Sequence, residues 1–374
     1  MEKTLSLEDN RAESIQYKQL WSLAAMYASI IIGWIAYHNY QPKLLVKFNF
    51  TEYALLLTIA QSLILVVTPP IAGRLGDRFR FSQGHRLPII STGISFAAMV
   101  FMAVAFTLLS NPGEYFKWVL PILIVLWLVA MSIFTSPALS TLELFTPVEK
   151  LPSAMAVITI VGNLIYSLEP VIVDIIDYIG APLTFVVGGI VVFASGYSLK
   201  QNSLGLFQQN AGRPRSVFTF DTRKSPYGYI FFLGAALGLA TTALFKFFPS
   251  SLEGAFGSWF HLEGKWYVVI ILLISAVASL PASRIAIKYG TVQVFRYSLV
   301  IVLASVIGVV LFPWPLLSLL FAIVFALSFT TLSVSSLPLA INEANYYEKV
   351  FCVGIFFSGV ELFDGIADIV IAAI

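Results

Sequence analysis

The sequence predicts an all-α polytopic membrane protein, a bundle of eleven spans in two related halves. Three observations predict it. Mean hydropathy is +0.87, and only 11% of the 374 residues are charged, against about 25% in a soluble domain. Eleven apolar segments reach the roughly 20 residues needed to cross a hydrocarbon core. The basic residues alternate between connections as the positive-inside rule requires.

The spans fall at 20–40, 53–73, 87–109, 118–138, 153–174, 180–199, 227–248, 266–287, 296–313, 315–337 and 351–374. Residues 1–19 are polar and lack the apolar stretch and cleavage site of a signal peptide. The first span is therefore expected to be retained. Most connections are short. The exception, 200–226, is rich in Gln, Asn, Gly, Ser and Arg and reads as a solvated linker. The expected organisation is a six-span half at 1–199, the linker at 200–226, and a five-span half at 227–374. All but five of the 22 Lys and Arg lie on the side of the N-terminus and linker; the five are Lys43, Lys47, Lys117, Lys246 and Lys265. That asymmetry predicts a cytoplasmic N-terminus and linker, and the membrane expected is the plasma (inner) membrane. A net charge of +2 gives no sign of a nucleic-acid partner, and the single Cys352 cannot form an internal disulfide.

The densest charge cluster is "GRLGDRFRFSQGHR" at 73–86, between the second and third spans. Gly73 and Gly76 permit close helix approach. Asp77 and Arg78 carry opposite charges, and an aspartate beside a helix N-terminus is favoured by the helix dipole. The second half has a degenerate counterpart. "LPASRIAIKYG" follows the eighth span, supplying Arg284 and Lys288, and Arg296 matches Arg86 at the start of the next span. Internal repeats of this kind occur in secondary transporters.

Gly73-x-x-x-Asp77-Arg78 resembles the loop signature of the major facilitator superfamily. Asp77-Arg78 followed by Gly84-His85-Arg86-Leu87-Pro88 and Gly93 resembles the "DR…GRRRPF…G" pattern of the glycoside–pentoside–hexuronide symporters and sucrose transporters. His85 and Leu87 stand where that pattern is basic. The stretch "SPALSTLELFTPVEKLPSAMAVITIVGNLIY" at 136–166, with Glu143 as its acid, is similar to their fourth–fifth span region. The resemblance implies a major facilitator type bundle, normally of twelve spans, the twelfth being absent from this sequence. It also implies a conformational latch at Gly73, Gly76, Asp77, Arg78, Gly84 and Arg86, with Arg284, Lys288 and Arg296 as the second-half partners. Arg74 and Arg80 are expected only to enforce topology.

Ionisable groups within spans are costly and mark pathways or partners. Glu361, Asp364 and Asp368 lie within roughly 60° of one another on the eleventh helix. They are candidates for proton or solute binding. So are Glu169, with Asn163 and Tyr166 preceding it at helical spacing, His38 near the outer end of the first span, and Gln61 midway along the second. Pro170 is expected to bend the fifth helix. Tyr40 is expected to anchor at the interface and Lys246 to snorkel, with pairing to a carboxylate as the alternative.

The function expected is a secondary active transporter for a small polar solute, sugar-like by resemblance. Lacking the Asp pair that sodium-coupled relatives carry in the second span, the chain is expected to be a proton-coupled symporter. It would be a monomer in the bilayer, with no cofactor and no metal. An intramembrane enzyme is disfavoured: no His-Glu-x-x-His, Gly-x-Ser-x-Gly or P-loop sequence occurs, and His38, His85 and His261 lie in separate segments. A non-transporting relative, acting as a sensor or a lipid- or pigment-handling factor, remains the alternative.

Overall fold

The computed structural model describes residues 14–110, 118–211, 224–257 and 262–373. Among the described residues every regular element is helical. Eleven helices are long and apolar enough to span a membrane: Tyr17–Lys47, Thr51–Gln83, Leu87–Ser110, Val119–Phe145, Val148–Ser167, Ala181–Gln208, Tyr227–Phe256, Gly264–Tyr289, Thr291–Leu311, Pro315–Glu343 and Tyr346–Ala373. They coincide in order with the segments read from hydropathy. Large apolar side chains such as Val277, Phe106 and Leu311 face outward, as lipid contact allows.

The differences are at the ends, because hydropathy reports lipid thickness and not helix length. The second helix does not stop at residue 73. It continues to Gln83 and carries most of the charged cluster with it. Gly84 ends it at φ +80, a left-handed cap that only glycine adopts cheaply. The ninth helix starts at Thr291, so Arg296 lies inside it, and Gly290 alone separates it from the eighth. The fifth span breaks at Leu168, where a second helix, Glu169–Ile179, begins with Pro170 in its first turn.

The seventh span changes geometry within its length. It is α-helical over Tyr227–Thr242, π-helical over Ala243–Phe247, and α-helical again over Phe248–Phe256. Pro249 has no N–H to donate to the carbonyl of Phe245, which releases the regular ladder there. Single π turns of this kind gather at functional sites. This one carries Lys246.

The first span packs on the fifth and sixth, the third on the fourth and sixth, and the ninth and eighth on the tenth. The eleventh span is the hub: it packs on the second and the seventh. The fifth adds contacts to the eighth and tenth. Glycine makes the hub close. A Cβ on Gly234 would strike the carbonyl of Phe356, and one on Gly238 the carbonyl of Val360. These two contacts are four residues apart on both helices. Beyond Gly238 the α-helical register ends at Thr242 and the π turn begins. On the other side, a Cβ on Gly73 would lie 2.5 Å from the carbonyl oxygen of Val350.

Gly238→Val should therefore destabilise the bundle by about 1–3 kcal/mol, the usual cost of overpacking. Gly254→Ala, where a Cβ meets nothing within 4 Å, should not. Thermal unfolding of the two purified variants in detergent checks this.

Candidate functional site

Two polar clusters depend on the eleventh span. The first lies at its N-terminal end, on the face of the bundle bearing the basic connections. The Asp77 carboxylate, buried on the second helix, accepts the backbone N–H groups of Phe351 at 2.8 Å and Val350 at 3.2 Å. These are two of the N–H groups that a helix start leaves without internal partners. Asp77 thus caps a helix from the other end of the chain. Beside it, Glu143 is 6% exposed and Arg86 1% exposed. Arg86 donates to Glu143 Oε1 at 2.6 Å and to Ser140 Oγ at 2.5 Å. Lys349 Nζ approaches Glu143 Oε2 at 3.0 Å, and Arg80 approaches Oε1 at 3.9 Å. Arg80 also donates to the carbonyl of Tyr346 at 3.0 Å and lies 4.3 Å over its ring. One buried carboxylate therefore ties the second, third and fourth spans to the start of the eleventh.

Several assignments differ from the sequence expectation. Arg78 stands exposed and makes no ion pair or hydrogen bond among the described residues. It is one position off the face that meets the eleventh span. Arg80, expected only to set topology, is on that face, and Arg74 lies 4.7 Å over the Phe351 ring. Arg284, Lys288 and Arg296 are all exposed and make no ion pair among the described residues. The second-half loop is not a charged counterpart of the first. The sequence singles out Glu143 only as the acid of the 136–166 resemblance and gives Lys349 no part in the latch. A lysine opening an apolar run is the sequence signal for Lys349.

The second cluster lies inside the bundle. Lys246, on the π-helical turn, pairs with Asp364 at 2.8 Å and Asp368 at 2.6 Å, and donates to the Asp364 carbonyl at 3.0 Å. It does not snorkel. The side chains of Asp364 and Asp368 are 39% and 34% exposed, so the surrounding helices do not close over them. Glu361, near the middle of the same helix, lies in the field of these three groups. Tyr27 of the first span and Tyr166 of the fifth lie in the field of Glu361. The Tyr166 ring also meets Phe245 of the π turn at 5.2 Å.

The first span closes the cluster. His38 stacks on Trp34 at 5.7 Å, keeps accessible surface, and lies within electrostatic reach of Asp364, Asp368 and Lys246. Tyr37 stacks on Trp127 at 4.6 Å and donates to Gln61 Oε1 at 2.9 Å. Gln41 donates to the same oxygen at 3.2 Å, so Gln61 is held as a buried acceptor between two spans. Tyr40 is buried and donates to the carbonyl of Ile176, which replaces the interfacial anchor expected for it. Asp177 pairs with Lys43 at 2.7 Å and accepts from Asn39 at 2.9 Å.

Asn163 and Glu169 lie to one side of this group. Asn163 is buried, and its Nδ2 has no hydrogen-bond partner among the described residues. It is seven residues on from Ala156, which packs with Ala282 and Val334, and so faces the eighth and tenth spans. Glu169 is half-buried at the start of its short helix, where the dipole favours an acid. It reaches the cluster only through Tyr166. Among the described residues no group of three or more His, Cys, Asp or Glu could hold a metal ion. His261 lies outside the described residues.

Helices from the two ends of one chain, meeting along an interior lined by ionisable side chains, have the architecture of a secondary transporter. Residues 20–360 match the Major Facilitator Superfamily, and the chain belongs to that family. No curated protein matches its sequence. Among solved structures it is similar to the human organic anion transporter MFSD10 (TETRAN), with a TM-score of 0.67 and 12% identity, covering 96% of this chain and 93% of that one. It is also similar to a bacterial homologue of the iron transporter ferroportin in an outward-facing state with soaked iron. The TM-score there is 0.64 at 13% identity, covering 94% and 97% of the two chains. At such identities the likeness is one of fold.

Removing Glu143 leaves Arg86 and Lys349 buried without their counter-charge. Glu143→Gln should cost about 3–5 kcal/mol, read as a lowered Tm in detergent. Lys246→Met should cost less, about 1 kcal/mol, because water screens the two aspartates. Adding Asp368→Asn to Lys246→Met should recover part of that loss.

Proposed function

We propose that this chain is a proton-coupled secondary transporter that carries a small polar solute by alternating access. The observation that carries this reading is the set of Glu361, Asp364, Asp368, Lys246 and His38 gathered on membrane-spanning helices. Acids so placed are retained at a cost of about 2.5–3.5 kcal/mol each on insertion scales, which a proton pathway accounts for. The halves 1–199 and 227–374 move against each other, and of the linker expected at 200–226 the first part, to Ala211, continues the sixth helix. The N-terminus and linker are cytoplasmic, as the Lys and Arg distribution supports, and the bilayer is the plasma (inner) membrane.

On this reading the cluster around Asp77 and Glu143 is the cytoplasmic latch. It holds that side shut while the interior acids face the opposite side. Opening it requires the eleventh helix to give up the Asp77 cap, worth about 1 kcal/mol, together with the Glu143–Lys349 pair. A sugar-like solute rests on the loop resemblance alone. The organic anion and the iron named for the similar structures belong to those proteins.

Proteoliposomes test the coupling. An imposed pH gradient should drive flux of at least one solute from a panel of neutral, cationic and anionic compounds. Glu361→Gln should reduce gradient-driven flux at least tenfold, and Glu169→Gln should reduce it less. Flux that ignores the gradient in both the native chain and Glu361→Gln would show that protons are not the coupling ion.

A further inference from the structure

The basic loop of the second half is turned away from the bundle. On the eighth span the exposed side chains Ile270, Leu273, Val277 and Leu280 recur every three or four residues, so they form one outward stripe along the helix. Arg284 and Lys288 continue that stripe by one turn each, and both are exposed. On the ninth span Val300, Leu303, Ile307 and Val310 form an outward stripe of the same kind. Arg296 stands one turn before Val300 and is exposed as well. Gly290 alone separates the two helices, at φ +88. The charged ends of both stripes therefore come to one hairpin.

The first half uses its equivalent residues against protein. Arg86, the counterpart of Arg296, is buried on Glu143, while Arg74 and Arg80 lie over the rings of Phe351 and Tyr346. Arg284, Lys288 and Arg296 have no such contacts and make no ion pair or hydrogen bond among the described residues. The chain supplies little to neutralise them. No Asp or Glu occurs between Glu263 and Glu343. Arg296 and Glu343 both lie in the field of Tyr229, so one acid faces Arg296, and the hairpin stays net positive.

Depth identifies what the three charges meet. Arg284 and Arg296 are each six residues from Gly290, about 9 Å along their helices. They sit where the apolar stripes end, and a charge facing hydrocarbon there is costly. Tyr289 and Tyr297 are exposed beside them, and Lys288 Nζ lies 5.1 Å over the Tyr289 ring. Exposed tyrosines of this kind mark the headgroup level. Unpaired cations at one end of an apolar surface complement an amphiphile with an anionic head.

We propose that this hairpin seats the phosphate of an anionic phospholipid, with its acyl chains lying along the stripes of the eighth and ninth spans. Arg284, Lys288 and Arg296 hold the headgroup by charge-assisted hydrogen bonds. The site stands apart from the interior acids and does not depend on what the chain carries.

Thermal unfolding of the purified chain in a neutral detergent, titrated with phosphatidylglycerol, tests the site, since a bound ligand raises Tm by mass action. Phosphatidylcholine is the zwitterionic probe and glycerol 3-phosphate the free phosphate. Phosphatidylglycerol should bind at least tenfold more tightly than phosphatidylcholine, and glycerol 3-phosphate at the same concentration should give no shift. Arg284→Gln, Lys288→Gln and Arg296→Gln should each weaken phosphatidylglycerol about fivefold, as one basic residue near an anionic surface contributes. The triple variant should lose the preference over phosphatidylcholine. A charge-matched triple on the same side of the membrane, Lys18→Gln with Lys150→Gln and Lys200→Gln, should keep it. If the first triple does not fold, the three single variants carry the test. Equal binding of the two lipids by the native chain, equal losses in the two triples, or unchanged binding by the three single variants would each overturn the proposal. A shift with glycerol 3-phosphate as large as with the lipid would do the same, by showing a site for free anions.

Discussion

The carboxylate of Asp77 on the first turn of the eleventh helix is the contact on which the rest of the arrangement hangs. In hydrocarbon the open N–H groups of a helix start must find partners within the protein. Here the partner comes from the second span, hundreds of residues earlier in the chain, and accepts from Val350 and Phe351. The approach is possible because Gly73 and Gly76 have no side chains to hold the helices apart. Once the eleventh helix is seated there, its depth and rotation are determined. Gly234 and Gly238 of the seventh span then lock its other face.

That seating fixes the chemistry further along. The same rigid helix that presents Lys349 to Glu143 at one end presents Glu361, Asp364 and Asp368 to the interior. A helix of this length transmits a shift at its start to the acids near its middle with little loss. The Glu143 network and the Lys246 network are therefore joined through the backbone of one helix. The π turn at Ala243–Phe247 is the second half of this geometry. It rotates Lys246 onto the aspartates and leaves Phe245 facing Tyr166, so one local irregularity supplies both a counter-charge and an aromatic wall.

Much of this was legible from residue order, and the exceptions have a common cause. Gly73, Gly76, Asp77 and Arg86 could be singled out because their spacing matches a known loop pattern. Glu361, Asp364 and Asp368 stood out because acids are rare in apolar helices. Arg78 and Arg80 were exchanged in role because the loop was read as a connection. Once the second helix runs to Gln83, its 100° per residue decides which arginine meets the eleventh span. The charged loop after the eighth span, with Arg284, Lys288 and Arg296, repeats the motif's position but not its contacts, since a repeat in sequence does not require a partner in space.

By itself, the sequence determined that the chain is an all-α membrane protein of the major facilitator kind, and which residues were too polar to face lipid. Burial in hydrocarbon is a property of composition and length, and both can be counted along a chain. Only the tertiary structure decided the pairings: Asp77 with a helix start, Glu143 with Arg86 and Lys349, and Lys246 with two aspartates. Each of these depends on the depth and rotation of helices far apart in the chain. Glycine contacts of a few ångströms set those quantities, and no local pattern encodes them.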